Sequence, residues 1–279
     1  MTSTGSHESV PSVFTTAPRP TPAGGHHPTR KGVSMKIMRF SAVAAVAIAA
    51  LTPGAIAAQA EVTANAGYVS QYYYRGIPQK ESSANGGLDV ASGMFSAGTW
   101  AADVGDGAEI DLYAGVGFDL TETVSLSIGG TGYFYTGDFD VTYLEGNLGL
   151  SAGPVSLEWS AGQHNYDPDA AKYSFLGLTV EQNGLFATVG TIAEAESFGD
   201  AFGDMFKLKA EDVSETSTGL HGQYLEAGYG FTVAEIDMAI SGIWSDSELS
   251  GQYNEDDDVF SDEITLVFAI SKAFNLSGM

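Results

Sequence analysis

From residue 61 onward, apolar and polar residues alternate with a period of two. In 110–120, Ile110, Leu112, Val116, Phe118 and Leu120 interleave with Asp111, Tyr113, Gly115, Gly117 and Asp119. In 155–164, Val155, Leu157, Trp159 and Ala161 interleave with Ser156, Glu158, Ser160, Gly162 and His164. The same rhythm runs through 124–135, 236–244 and 264–270. Successive side chains of a strand point to opposite faces, so each segment reads as a strand with one apolar and one polar face. The pattern predicts about twelve strands, at 62–76, 82–91, 94–103, 109–120, 123–136, 140–151, 154–165, 171–182, 184–193, 218–231, 234–246 and 261–274. Many reach the roughly 9–11 residues a tilted strand needs to cross a bilayer, beyond the ~5–6 of a typical soluble strand.

The connections alternate as well. Short ones fall at Ser92-Gly93, Thr121-Glu122, Ala152-Gly153-Pro154, Asn183-Gly184 and around Thr232-Val233. Longer, acidic ones fall at 77–81, 104–108, 137–139, 166–170, 194–217 and 247–260. Short turns at one rim and long loops at the other predict an all-β fold, an antiparallel transmembrane β-barrel, with both termini at the short-turn, periplasmic rim. A soluble sandwich or lipocalin-like barrel would also alternate, but its inward face would be the apolar one. Here the polar face carries Asp111, Asp119, Glu145, Glu158 and His164 among glycines and serines, which suits a wet interior.

The first 60 residues follow another logic. Residues 1–34 are polar and without period, a disordered extension. Residues 35–60 carry a basic start, the apolar run 42–51 and then Ala58-Gln59-Ala60, the layout of a secretory signal peptide cut near Glu61. The apolar run is too short to anchor in a membrane as a helix. Met35 is an alternative start to Met1. Residues 61–279 form the barrel.

Charge sharpens the picture. The chain carries 11 Lys and Arg against 35 Asp and Glu. Five of those basic residues and one acid lie in 1–60, so residues 61–279 hold six and 34, a net charge of −28. Nucleic acid is a poor partner for such a surface. With no cysteine, disulfides, thiolate metal sites and a cysteine nucleophile are excluded.

Arg75 is the one arginine after residue 60, and it follows three tyrosines in "GYVSQYYYRGIPQ". Simple alternation puts Tyr68, Tyr72 and Tyr74 on the lipid side, where amphipathic rings settle at the interface together with Trp100, Trp159 and Trp244. Tyr73 and Arg75 then face the lumen. There the guanidinium meets carboxylates from other strands, with Asp89, Asp111 and Glu145 as candidates, and holds the wall by charge-assisted hydrogen bonds. Asp119, Glu158 and His164 complete the set of lumen and selectivity candidates.

Residues 69–116 carry Tyr74-Arg75-Gly76-Ile77-Pro78-Gln79, Gly98-Thr99-Trp100-Ala101-Ala102 and Glu109-Ile110-Asp111-Leu112-Tyr113-Ala114-Gly115. In these elements the stretch resembles the start of the TorF-type outer-membrane porins. The resemblance implies a single barrel in the outer membrane of a Gram-negative bacterium, with no catalytic or cofactor-binding residues. Barrels of this kind end on an aromatic residue read by the barrel-assembly machinery. Here Phe274 is followed by five more residues.

Enzyme readings are weak. His164 with Asn165, or His221 near Ser217, could be forced into a lipase-like triad, but triads are defined by geometry, and no G-x-S-x-G or H-E-x-x-H occurs. The run 254–263, "NEDDDVFSDE", lacks the glycine of a calcium loop and reads as a solvated loop able to bind divalent cations weakly beside lipopolysaccharide. No cofactor or resident metal is expected. Twelve strands lie between the filled eight-stranded barrel and the open channels of 16–18. A narrow or partly occluded pore follows, passing small solutes with a preference for cations. The alternative is a non-conducting structural or adhesive barrel acting through its outer loops. Phe198, Phe202, Met205 and Phe206 lie near helical spacing in the longest loop and could fold inward.

Overall fold

A computed structural model describes residues 60–164, 172–195, 221–250 and 264–277. The expected extension, the signal segment up to residue 59, the loop at 166–170, most of the expected loops at 194–217 and 247–260, and the acidic run 254–263 lie outside the described residues. The alternating segments fold into twelve antiparallel strands, β1 (Glu61–Tyr74), β2 (Ile77–Ser92), β3 (Phe95–Gly105), β4 (Gly107–Asp119), β5 (Val124–Tyr135), β6 (Tyr143–Ala152), β7 (Val155–His164), β8 (Lys172–Gln182), β9 (Leu185–Ala195), β10 (Gly222–Val233), β11 (Ile236–Ser245) and β12 (Thr265–Asn275). A single helical turn, α1 (Ser247–Ser250), follows β11.

Each strand pairs with its sequence neighbours, and β12 closes the sheet on β1. The seam runs from Thr63↔Asn275 to Val69↔Ala269. Beyond it the Leu276 amide donates to the Val62 carbonyl, and the Val62 amide donates to the Ser277 hydroxyl at 2.8 Å. Closure removes every sheet edge, so all the wall's backbone groups can pair without water.

The apolar positions face outward. Leu112 is 47% and Ile128 49% exposed, and both lie in the middle of their strands. A soluble fold would bury such side chains, whereas a bilayer accepts them. The lumen face carries polar and small residues, with a belt of aromatic rings in its outer half.

The expected difference between the rims is only partly realised. The short rim is as expected, although its last turn sits at Ala234-Glu235, both at positive φ. At the opposite rim, 77–81 is not a loop. It belongs to β2, and the true turn is Arg75-Gly76 at φ 46° and 82°, the two-residue pattern of a type I′ hairpin. Likewise 104–108 shrinks to a tight turn between Gly105 and Gly107. Acidic and glycine-rich residues there resembled loop chemistry, but cross-strand pairing carries the strands almost to the tip. Among the described connections at this rim, 136–142 is a genuine loop, and Phe139 folds inward from it against Tyr135, ring centroids 5.6 Å apart.

Candidate functional site: a hairpin turned into the lumen

The alternation of β1 breaks near its outer end. Tyr68 is 40% exposed, whereas Tyr72 and Tyr74 are 6% and 2% exposed, although all three occupy even positions. An inversion of faces requires an irregularity between them. It lies at Ser70 and across from it. The ladder to β12 stops at Val69, and the Ser70 hydroxyl accepts the Phe268 amide at 2.9 Å. Ser82 adopts φ 63°, and the β1–β2 register slips by one residue at Tyr72/Tyr73. Tyr72 and Tyr74 are therefore lumen residues, not the interfacial anchors expected of them. The Tyr73 hydroxyl bonds Thr265 on β12 at 3.1 Å.

Past this bulge the hairpin tip bends across the barrel. Tyr74, Arg75, Ile77, Pro78 and Gln79 are all buried. The Gly76 carbonyl accepts a hydrogen bond from Ser245 on β11. A Cβ on Gly76 would come within 2.4 Å of Tyr224 Cβ on β10, so only glycine fits there, and its positive φ adds to the requirement.

Arg75 ends on the far wall. In a ring of twelve strands β7 stands opposite β1, and it is to β6 and β7 that the guanidinium is tied. Nη1 donates to Glu145 Oε2 at 2.7 Å and Nη2 to Glu145 Oε1 at 3.0 Å, a two-pronged pairing. Nη2 also donates to Glu158 Oε1 at 2.7 Å and to Ser160 Oγ at 3.0 Å. The cation sits 4.0 Å from the Phe175 ring centroid and 4.9 Å from that of Tyr74. Charge-assisted, two-pronged pairs and ring faces are what a guanidinium, rather than an ammonium, can exploit.

The wall is prepared to receive it. Glu145 also accepts from Tyr173 at 2.8 Å, from Tyr133 at 3.3 Å and from Asn147. Asn147 in turn donates to Ser160 at 3.0 Å, and Ser160 donates to Glu158 at 3.1 Å. Tyr133, Tyr143 and Tyr173 pack edge to face around the tip at 6.2–6.4 Å. Glycines on neighbouring strands leave room for the rings: Gly162 lies under Tyr173, and Gly190 under Tyr224. That pairing accounts for a chain rich in both glycine and aromatics. Together with Ile77, Ile192 and Leu249 of α1, these side chains form a buried cluster across the outer half of the lumen.

A second cluster lies on the β3–β4 side. Tyr72 packs on Trp100 with centroids 5.8 Å apart, beside Ala102, Val104 and Phe139. Trp100 shares a face with Ala102 and Asp111 and so lines the lumen, another departure from the expected interfacial ring. The Tyr72 hydroxyl donates to Glu109 Oε1 at 3.0 Å. Asp111, on the same face of β4, is fully buried.

The remaining candidates are spread out. Asp89 lies lower in the lumen and accepts from Asn65 at 3.3 Å and from Tyr113. Asp119 is exposed at the short-turn end of β4. Of the acids proposed for Arg75, the structure brings Glu145 to it and adds Glu158, while Asp89 pairs elsewhere. His164 ends β7 opposite Tyr143, and its side chain, like Asn165 and Ser217, lies outside the described residues. Trp244 is exposed on the outer face of β11. Trp159 shares the outer face with Leu157, midway along β7 between Leu148 and Leu176, not at a rim. At the outer rim, His221 Nε2 lies 3.2 Å from Glu248 Oε2.

Sequence reading missed Ser160, Asn147, Phe175, the buried acid Glu109 and the half-buried Glu226. Glu109 was accessible in principle, two residues before Asp111 on one face. Glu226 alternates with Tyr224, and Ser241, diagonal to it on β11, hydrogen-bonds its carboxyl. In the loop after β5, burial pushes the Asp140 carboxyl up to about 7, against the opposing hydrogen bonds from the Val141 amide and Tyr143 hydroxyl.

Comparison with known proteins adds a family. No curated protein sequence matches the chain. Among solved structures, a chain from work on the in-meso crystallization of membrane proteins is similar over 78% of this chain and 85% of its own, with 13% identity and a TM-score of 0.46. The NanC porin is similar over 77% and 98%, with 9% identity and a TM-score of 0.44. The outer membrane protein OprD from Pseudomonas aeruginosa is similar over 78% and 66%, with 12% identity and a TM-score of 0.38. At these scores the likenesses do not bear on function. The sequence profile described as a bacterial protein of unknown function, Gcw_chp, matches residues 54–274, so the chain belongs to the Gcw_chp family.

Proposed function

We propose that the protein is an outer-membrane, porin-like channel for small solutes, preferring cations and held shut at rest by the β1–β2 hairpin. The observation that carries this reading is a polar, acid-lined lumen crossed by a hairpin that is built from one wall and hydrogen-bonded to the other. Asp89, Glu145 and Glu158 lie on the lumen face with Arg75 as the cation paired to the last two, and surplus negative charge in a low-dielectric tube draws cations and repels anions. The resemblance of residues 69–116 to TorF-type porins points the same way. A plug held by side-chain hydrogen bonds, rather than by the wall's own ladder, can leave without opening the barrel.

The filled outer lumen also favours a second reading, a non-conducting barrel that acts through its outer loops. Planar-bilayer recording in a salt gradient separates the two. The wild type is expected to open rarely. A variant with residues 74–79 replaced by Gly-Gly is expected to conduct steadily, with a reversal potential of cation sign. A reversal potential favouring chloride refutes the selectivity. Silence from both proteins, each correctly folded, refutes the channel and leaves the second reading.

A further inference from the structure

Apart from the adjoining Tyr74 ring, the groups around the Arg75 guanidinium belong to the opposite wall. Glu145 stands on β6, Glu158 and Ser160 on β7, and Phe175 on β8. None of these residues is near Arg75 in sequence, and none needs the hairpin to hold its place. Glu145 is oriented by Tyr133, Tyr173 and Asn147, and Ser160 by Asn147. The wall thus presents two carboxylates, a hydroxyl and an aromatic face, preorganised around one planar cation.

We propose that this cradle is a binding site for guanidinium-type and related planar organic cations, and that Arg75 occupies it in the closed barrel as an internal ligand. Three features support a site over a simple structural ion pair. The wall brings two carboxylates to a single arginine, so the cradle keeps an excess of negative charge when filled. The Glu158 side chain is 36% exposed while Glu145 and Arg75 are fully covered, so the cradle is open toward the lumen on one side. The cation also approaches from outside the wall's own hydrogen-bond network, on a hairpin whose entry depends on a bulge and a glycine. A solute carrying the same fork competes with Arg75 for the same contacts, and its binding favours the withdrawn hairpin by mass action. An ammonium has no planar fork and stacks less well, so it binds more weakly.

This inference deepens the channel reading by naming a solute class, but binding at the cradle does not require conduction. The test uses purified Arg75→Ala, folded in detergent, with its unfolding followed by the heat-dependent mobility shift on a gel. Low-millimolar guanidinium chloride is compared with sodium chloride at equal ionic strength and with urea. At tenfold over Kd, guanidinium is expected to raise the transition of Arg75→Ala by about 3–5 °C. It should do so neither in the wild type nor in Arg75→Ala carrying Glu158→Gln. Adding Phe175→Leu should weaken binding about tenfold through the lost ring face. An equal shift in the wild type, a shift also given by urea, or no shift in Arg75→Ala overturns the proposal. Should Arg75→Ala not fold, Arg75→Lys carries the measurement, with a smaller shift expected because its ammonium still competes for the two carboxylates, and no shift there overturns the proposal. Stabilisation without conductance in bilayers would remove the channel and keep the site. Conductance without stabilisation would do the reverse.

Discussion

Replacing Arg75 by alanine tests whether the hairpin is a latch. The change removes four hydrogen bonds of 2.7–3.0 Å to Glu145, Glu158 and Ser160, along with the ring contacts to Phe175 and Tyr74. Breaking a buried pair by deleting one partner costs about 3–5 kcal/mol, because a charge stays behind unpaired. Glu145 retains three neutral donors, Tyr133, Tyr173 and Asn147, so the low end applies, about 3 kcal/mol. If that energy holds the hairpin in place, its loss raises the ratio of open to closed barrels by about 10²-fold, at 1.4 kcal/mol per factor of ten. The assay is single-channel recording, read as the fraction of time open. Arg75→Lys should fall between, since it keeps the charge and loses the fork. An unchanged open fraction in a correctly folded Arg75→Ala refutes the latch. A lower urea midpoint for the whole barrel with no change in gating would show that Arg75 ties the wall together instead.

Other outcomes follow from named contacts. Gly76→Val should expel the tip, because its side chain meets Tyr224 at a backbone angle that valine resists; steady conductance would show it, and wild-type silence would count against the reasoning. Tyr72→Phe removes the donor to Glu109 at 3.0 Å and should cost about 1–3 kcal/mol of hairpin docking, seen as a severalfold or greater rise in open fraction. Ile128→Lys places a charge on the outer face of mid-β5 and should cost about 2–4 kcal/mol of barrel stability, measured by urea titration in lipid vesicles; a neutral result would contradict a lipid-facing wall. Asp140 titrates near pH 7, above the ordinary carboxyl value of 3.8. The folded loop therefore holds its proton more tightly than the unfolded chain, and its stability falls as pH rises from about 4 to 7. Asp140→Asn should flatten that slope in pH-dependent unfolding.

The period-two pattern by itself determined that this chain forms long strands with one apolar face, and the strand count and closure with both ends at one rim follow from it. Alternation is a local property of the backbone, so Leu112 and Ile128 could be placed outward, and Glu145 and Glu158 inward, from spacing alone. A lone guanidinium among acids was legible too, but the alternation that set Arg75 on one inward face with Tyr73 breaks before it, and Arg75 reaches the lumen as a turn residue. What only the tertiary structure decided begins at Ser70. A bulge is set by how β1 meets β12 and β2, and nothing in the residue order announces it, so Tyr72 and Tyr74 were expected in lipid when they lie in the lumen. Trp100 followed the same error, since an aromatic ring suits an interface and a packed interior equally well. The partners of Arg75 are some 70–85 positions away in sequence, and they meet it only because the closed register places β6 and β7 across from β1. The turn at Arg75-Gly76 becomes a plug for the same reason: its local geometry is that of any tight hairpin, and its inward course depends on a wall shaped to hold it.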